Sequence, residues 1–286
     1  MKRSPQTGLV FCIFFFCLVY AATSHAKTLT DISYGDTKEQ KFDVYLPDKS
    51  ASSPILFMVH GGAWRIGDKA NRSVVNAKVA RWVKAGWIFI SVNYRMLPKS
   101  EPYQQAGDVA KALAYVQTHS AEWGGDSSKI ITMGHSAGAH LLSLVLTDPN
   151  LSGAAVFANI KGGILLDSAA LDVSRIMNQK HAKLYDRAFG DAPNNWLKNS
   201  AIEHLHSKVK PLLLVCSTRR KDSCLQTKAF AEKAQRLGVT AQQLGVDLSH
   251  LQINANLGDD SLYTYQVEDF IRSLDPRFEP FLPPAL

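Results

Sequence analysis

A serine at the centre of a Gly-His-Ser-Ala-Gly segment, Gly134–Gly138, is the residue best suited to covalent chemistry. The segment follows the apolar run Lys129–Met133 and precedes a helical pattern over Ala137–Leu146. A strand, a sharp turn and a helix in this order expose the serine hydroxyl, and the flanking glycines let neighbouring backbone approach closely. The pattern predicts that Ser136 is the nucleophile of an acyl-transfer reaction.

A second glycine-containing segment, His-Gly-Gly-Ala-Trp, follows the apolar run Pro54–Val59. Glycines at this point let backbone N–H groups face an open pocket, where they can hold the oxyanion of a tetrahedral intermediate. We predict an oxyanion hole formed by the N–H groups of Gly62, Ala63 and Ala137. Trp64, which ends the segment, is predicted to line the substrate pocket.

The rest of the chain supplies the elements that must position these groups. Continuous apolar runs bounded by Gly or Pro are typical of strands that are buried on both faces of a parallel sheet. Helical patterns over Asn71–Ala85, Ala106–Thr118 and Thr227–Leu237 alternate with them, which predicts a single α/β domain. Leu171–Leu205 interrupts this alternation with a polar segment that is long for a connection, and it is a candidate lid.

The two glycine motifs, with Asn93-Tyr94-Arg95-Met96-Leu97-Pro98 between them, resemble the α/β-hydrolase superfamily over about Asp43 to Leu274. Within it the chain is most similar to small carboxylesterases of the hormone-sensitive-lipase and arylformamidase-like branches. The resemblance implies an eight-stranded, mostly parallel sheet flanked by helices, no cofactor, and a triad in the order serine, acid, histidine. Ala63 stands where Gly or Tyr is common, but its backbone donor is retained.

The general base is expected after the last strand, where the family carries it. His250 lies there, behind the strand-like run Thr240–Val246. The other eight histidines fall in the leader, in the two motifs or in helical and lid-like segments. We therefore predict that His250 takes the proton of Ser136.

The acid of the triad is expected after the penultimate strand, Pro211–Ser217. Asp222 is the carboxylate in that stretch, and we predict that it orients His250. Asp167, at the end of the preceding strand, and Asp247, close to His250 in sequence, are the alternatives. The basic cluster at residues 219–221 is interpreted as a solvated loop face.

The N-terminus has the pattern of a secretory signal peptide. Lys2 and Arg3 precede an apolar run from Gly8 to Ala22, and small residues flank a cleavage site at Ala26. We predict a signal peptide over residues 1–26, a mature domain over 27–286, and a secreted or periplasmic protein without a membrane span after processing. An uncleaved anchor is the alternative.

Cleavage at Ala26 leaves two cysteines, Cys216 and Cys224. An even pair in an exported protein predicts a disulfide, here around a small loop that contains Asp222, and two buried free thiols are the alternative. Cleavage also lowers the formal net charge from +7, because Lys2 and Arg3 are lost and no acidic residue is. The positive charges form no stripe or patch of the kind that indicates a nucleic-acid partner.

These observations predict an exported serine hydrolase that cleaves short-acyl or aryl carboxylic esters. An arylformamidase-like amidase uses the same triad and is the alternative enzyme. A catalytically inactive α/β-hydrolase that serves in binding is a third hypothesis. The sequence indicates neither the physiological substrate nor the oligomeric state.

Overall fold

The computed structural model describes residues 27–284, so the predicted signal peptide lies outside the described residues. Eight strands lie within these residues: β1 Lys27–Ser33, β2 Lys41–Leu46, β3 Ser53–Val59, β4 Ile88–Val92, β5 Gly125–His135, β6 Ile160–Leu166, β7 Leu212–Ser217 and β8 Ala241–Val246. They form one sheet in the order β1-β2-β4-β3-β5-β6-β7-β8. Strands β1 and β2 are antiparallel, as are β2 and β4, and the other neighbours are parallel. The predicted eight-stranded, mostly parallel sheet is therefore confirmed.

Ten α-helices occur within residues 27–284, and two of them follow the last strand. The first helix, Arg72–Lys78, continues into a π-helical turn at Val79–Val83, and 3₁₀ turns occur at Ser120–Trp123, Ala201–His204 and Pro276–Phe281. The α-helices are α1 Arg72–Lys78, α2 Pro102–His119, α3 Ala137–Thr147, α4 Pro149–Asn159, α5 Val173–Met177, α6 Lys183–Phe189, α7 Pro193–Lys198, α8 Lys221–Arg236, α9 His250–Ala255 and α10 Leu262–Leu274.

The sheet separates two apolar cores, which explains why its central strands are apolar throughout. Successive side chains of a strand point to opposite faces. In β3, Phe57 packs in the core beneath α2 and α3, whereas Met58 packs in the core beneath α1, α9 and α10. Every residue of β3 and β4 is buried, as expected for strands covered by helices on both faces.

The candidate lid, Leu171–Leu205, contains the three short helices α5, α6 and α7 and the 3₁₀ turn Ala201–His204. It packs against the oxyanion-motif loop through aromatic side chains. The ring of Trp64 lies 4.9 Å from that of Phe189 and 6.0 Å from that of Tyr185, measured between centroids. The segment therefore forms one wall above the carboxyl ends of the strands.

The start of α8 differs from the sequence prediction. The helix was expected over Thr227–Leu237, but it begins at Lys221, within the loop that the Cys216–Cys224 disulfide closes. Asp222 therefore lies on the first helical turn, where a negative charge is favoured by the helix dipole. None of the helices in residues 27–284 is long and apolar enough to cross a membrane.

Candidate active site

Ser136 lies on a strained turn between β5 and α3. Its backbone has φ 54° and ψ −118°, values that L residues rarely adopt. A Cβ added at Gly134 would lie 2.6 Å from the carbonyl oxygen of Gly138, and one added at Gly138 would lie 2.3 Å from that of Val59. The glycines are required because no side chain fits between these backbone segments.

His250 meets Ser136 across 114 residues of sequence, with its Nε2 3.0 Å from Ser136 Oγ. The histidine is the first residue of α9, a helix that Ser249 caps by accepting a hydrogen bond from the N–H of Gln252. The cap fixes the start of α9, and thereby the position of the imidazole. The structure thus brings together the two residues that the sequence predicts as nucleophile and base.

Asp167, at the carboxyl end of β6, is the carboxylate that contacts His250. Its Oδ2 lies 2.6 Å from Nδ1 of the imidazole. Its Oδ1 accepts hydrogen bonds from the N–H of Ser217 at 2.8 Å and from the hydroxyl of Ser223 at 2.5 Å. The side chain has no exposed surface. Both carboxylate oxygens are therefore held by donors from β7, α8 and α9.

Asp167 is ionised at neutral pH. Burial raises the pKa of its carboxyl, but hydrogen bonds from His250, Ser217 and Ser223 oppose this effect. Together with the positive charge of Arg220 they hold the pKa well below its usual range. An ionised Asp167 accepts the Nδ1–H of His250, and this tautomer leaves Nε2 free to accept the proton of Ser136.

The structure corrects the prediction that Asp222 is the acid. Asp222 is exposed on the first turn of α8, and Asp167 takes the Nδ1 position of His250. Its neighbour Ser223 points inward instead and donates to Asp167. The other alternative, Asp247, is 81% exposed and pairs with Arg219 at 2.7 Å.

Arg220 occupies the loop after β7, and the interpretation of residues 219–221 as a solvated face is wrong for this residue. Its Nη1 lies 2.5 Å from Asp167 Oδ2 and 2.7 Å from His250 Nδ1. A guanidinium only donates, and Nδ1 of the active tautomer carries a proton. Arg220 therefore donates a hydrogen bond to Asp167. It lies beside the imidazole without a hydrogen bond to it. The chemical type and the sequence position of Arg220 did not mark it as a site residue.

The oxyanion motif forms a tight loop beside Ser136. Gly62, Ala63 and Trp64 all have positive φ, at 135°, 51° and 60°. A Cβ added at Gly62 would lie 1.8 Å from the carbonyl oxygen of Ile66, so this position requires glycine. The three residues line the same pocket as Ser136 and Ala137. The strained loop thus presents its backbone where the sequence predicts an oxyanion hole.

Trp64 lines the pocket, as predicted, and is fixed by a hydrogen-bond chain to the candidate lid. Its Nε1 donates to His140 Nδ1 at 3.0 Å, and His140 Nε2 donates to the carbonyl oxygen of Asn199 at 2.8 Å. Burial lowers the pKa of His140 to about 4, so the ring is neutral and can serve as both donor and acceptor. This chain joins the oxyanion loop, α3 and residues 171–205.

His135, next to the nucleophile in sequence, holds the backbone of His250 by a hydrogen bond. Its Nε2 donates to the carbonyl oxygen of His250 at 2.9 Å, and the two ring centroids are 4.6 Å apart. Burial and the proximity of His250 lower the pKa of His135 to about 3. His135 is therefore a neutral structural group, which holds the backbone of the residue that bears the base.

The pocket above Ser136 has a volume of about 580 Å³. Three of its lining residues, Ile66, Leu184 and Leu251, are large apolar side chains that are exposed at 67%, 37% and 72%. They belong to the oxyanion loop, to the candidate lid and to α9. An apolar rim of this size suits a substrate with an apolar body.

Comparisons with known proteins agree with this architecture. The esterase LipQ of Mycobacterium tuberculosis is 36% identical over 130 residues, which are 44% of this chain and 30% of that protein. The kynurenine formamidase of Danio rerio is 30% identical over 159 residues, 55% of this chain and 51% of that protein. The chain thus matches between about a third and a half of the length of these relatives.

A solved structure shows the same fold. A thermophilic esterase from the planctomycete Thermogutta terrifontis superposes with a TM-score of 0.69 at 20% identity, over 91% of this chain and 94% of that chain. The model of the BD-FAE family matches residues 42–228, from β2 to α8. The predicted relationship to α/β-hydrolase carboxylesterases is confirmed, and the chain belongs to the BD-FAE family.

Proposed function

We propose that the protein is a serine hydrolase that cleaves carboxylic esters through an acyl-enzyme intermediate. The observation that carries the proposal is the chain of contacts from Ser136 Oγ through the imidazole of His250 to Asp167, at 3.0 and 2.6 Å. This arrangement supplies a nucleophile, a base and a group that fixes the tautomer of the base.

In the first half of the reaction, Ser136 Oγ attacks the carbonyl carbon of the ester while His250 Nε2 takes its proton. The carbonyl oxygen becomes an oxyanion, which the N–H groups of Gly62, Ala63 and Ala137 stabilise. When the tetrahedral intermediate collapses, the bond to the alcohol breaks and the imidazolium gives its proton to the leaving oxygen. The products are a free alcohol and an acyl-Ser136.

In the second half, His250 takes a proton from water as the water oxygen attacks the acyl carbon. Collapse of the second intermediate returns the proton to Ser136 and releases the carboxylic acid. Asp167 stays ionised throughout and stabilises the imidazolium in both halves. Loss of one oxyanion donor typically costs about 2.7–4 kcal/mol of transition-state stabilisation. The strained loop at residues 62–64 therefore contributes to catalysis by holding its N–H donors beside Ser136.

The names of the relatives support an ester over an amide. LipM and LipQ of Mycobacterium tuberculosis and the Arabidopsis thaliana relatives are named as ester hydrolases, whereas the Danio rerio relative is named a kynurenine formamidase. An arylformamidase-like activity is the second candidate, since the same triad can hydrolyse an N-formyl group. A catalytically inactive binding protein is the third, although Ser136, His250 and Asp167 are all in contact here.

Pre-steady-state kinetics separate these candidates. With p-nitrophenyl acetate we expect a burst of p-nitrophenol equal to the enzyme concentration, and Ser136→Ala should abolish it. N-formylkynurenine, assayed in parallel, should be hydrolysed with a much lower kcat/KM. A higher kcat/KM for N-formylkynurenine would favour the formamidase, and the absence of hydrolysis of either compound would favour a binding protein.

We further propose that the protein is exported and that residues 1–26 are removed. The composition of the leader and the Cys216–Cys224 disulfide support an oxidising compartment. N-terminal sequencing of the protein recovered after expression with its own leader should begin at Lys27. A sequence that begins at Met1 in the membrane fraction would support the uncleaved anchor.

A further inference from the structure

Within residues 27–284, the pocket above Ser136 offers its substrate one reachable charge, and that charge is positive. Among its lining residues, Asp167 and Arg220 are the ones with a formal charge at neutral pH. The side chain of Asp167 has no exposed surface, whereas that of Arg220 is 34% exposed. A bound substrate can therefore contact the Arg220 side chain but not the Asp167 carboxylate.

The triad does not depend on Arg220 to satisfy Asp167. The carboxylate already accepts hydrogen bonds from Ser217, Ser223 and His250. Arg220 reaches the triad through Nη1 alone. A guanidinium has five N–H donors, of which Nη1 carries two, so the donors on Nε and Nη2 are not used by these contacts. Two nitrogens on one edge of a guanidinium match the two oxygens of a carboxylate.

The backbone that bears Arg220 is held in place. The N–H of Arg220 bonds to the carbonyl oxygen of Ser217 at the end of β7, and Arg220 is the residue before α8. The Cys216–Cys224 disulfide joins β7 to α8 around the same loop. A fixed guanidinium loses little further freedom when it binds an anion, which favours recognition.

We infer that Arg220 selects esters that carry a carboxylate on the acyl or alcohol part, several bonds away from the scissile carbonyl. The inference rests on the proposed esterase function. The distance follows from the geometry, because the imidazole of His250 lies between Arg220 Nη1 and Ser136 Oγ. A carboxylate bonded directly to the scissile carbonyl carbon would stay beside Ser136 and could not reach the guanidinium. The apolar rim at Ile66, Leu184 and Leu251 would then contact the uncharged remainder of the substrate.

The test compares charged esters with neutral partners of matched length. The acyl series pairs the mono-p-nitrophenyl esters of succinate, glutarate and adipate with p-nitrophenyl butanoate, pentanoate and hexanoate. The alcohol series pairs 4-acetoxybenzoate with its methyl ester. For each pair, the ratio of kcat/KM for the charged member to that for the neutral member is measured in the wild type and in each variant, after correction for spontaneous hydrolysis.

Arg220→Gln should lower this ratio about tenfold or more in at least one series, because a charge-assisted hydrogen bond discriminates by about that factor. Arg220→Lys should lower it less. The matched control is Arg219→Gln, since Arg219 is a neighbouring, exposed arginine outside the pocket lining that pairs with Asp247. That control should leave the ratio unchanged. The wild-type ratio should also fall when the ionic strength is raised, because salt screens exposed charges.

An equal loss of activity toward charged and neutral esters in Arg220→Gln would overturn the inference, because Arg220 would then serve only the triad. A wild-type ratio that does not respond to salt would also count against it, and this measurement holds even if the variant fails to fold. Failure of the proposed function would be a different result: the wild type would hydrolyse neither member of any pair.

Discussion

Asp167 Oδ2 lies 2.6 Å from His250 Nδ1, although the two residues are 83 positions apart in the sequence. The carboxylate comes from the end of β6, and the neighbouring strand β7 ends in the loop that carries Arg220. The site therefore takes its acid from one strand and a positive charge from the next. Since β6 and β7 are parallel neighbours, both loops open at the same edge of the sheet.

Replacing Asp167 tests this assignment against Asp222. Asp167→Asn should lower kcat by about 10⁴-fold, because an amide no longer fixes the productive tautomer of His250. Asp222→Asn should stay within about twofold of the wild type, since an exposed residue on the first turn of α8 affects the reaction little. Both values come from steady-state hydrolysis of p-nitrophenyl acetate. The assignment is wrong if Asp222→Asn shows the larger loss.

Acid should destabilise the protein through its buried neutral histidines. The pKa of His140 is lowered to about 4, so its folded pKa lies below the unfolded value of about 6.5. The unfolded chain then binds a proton at pH values where the folded chain does not, so stability is full above about pH 6.5 and is lost as the pH falls toward 4. For His140 the loss between pH 7 and pH 5 is about 2 kcal/mol.

Urea unfolding of the wild type and of His140→Gln at both pH values measures this contribution. The variant should lose about 2 kcal/mol less than the wild type over this interval, whatever its stability at pH 7. His135, with a pKa lowered to about 3, should still destabilise the variant in acid. Equal pH dependence of the wild type and the variant would show that His140 does not stay neutral in the folded state.

Two glycines give opposite predictions for substitution by alanine. At Gly138 a Cβ would lie 2.3 Å from the carbonyl oxygen of Val59 and 2.4 Å from that of His60. Because these are backbone atoms of packed elements, Gly138→Ala should cost about 1–3 kcal/mol or more, and should reduce the reactivity of Ser136. At Gly107, inside α2, a Cβ would meet nothing within 4 Å. Gly107→Ala should therefore stabilise the protein by about 0.5–1 kcal/mol.

Thermal and urea unfolding of the two glycine variants, measured side by side, test these opposite changes in stability. Gly107→Ala serves as the matched control because both glycines lie in helices. If Gly138→Ala were as stable and as active as the wild type, the close approach of β3 to α3 at the nucleophile would not exist in solution.

The disulfide should contribute stability through the unfolded state. It joins residues that are eight positions apart, and closure of a loop of this length is worth about 2–3 kcal/mol in the chain-entropy description. Replacing Cys216 and Cys224 together by alanine should lower the free energy of unfolding by about that amount, as measured by urea titration. Titration of free thiols in the unfolded protein that begins at Lys27 is the control, because Cys216 and Cys224 are its two cysteines. Two reactive thiols without prior reduction would contradict the bond.

The sequence was sufficient to predict the sheet and to single out Ser136 and His250, which the structure brings into contact. Central strands are apolar runs that alternate with helical patterns, and Ser136 stands in a motif whose glycines have no freedom to change. His250 followed from the order of elements. Strand β1 was not predicted, because Lys27–Ser33 at the edge of the sheet is largely exposed and carries few apolar residues.

The acid could not be chosen from the sequence, because the choice depends on which of two adjacent loops turns toward the histidine. Asp167 immediately follows β6, whereas Asp222 is five residues beyond β7, and the sequence does not show where α8 begins. The start of this helix at Lys221 places Asp222 on an exposed turn and leaves Arg220 facing the pocket. A carboxylate directly at the end of a buried parallel strand was the signal that favoured Asp167.

Covalent labelling tests most directly whether Ser136 is an activated nucleophile. The folded wild type is treated with a fluorophosphonate, and intact-mass and peptide mass spectrometry locate the adduct. We expect one adduct per chain on Ser136, absent from Ser136→Ala and much slower to form in Asp167→Asn. A folded wild type that remains unlabelled, or that is labelled at another residue, would contradict it.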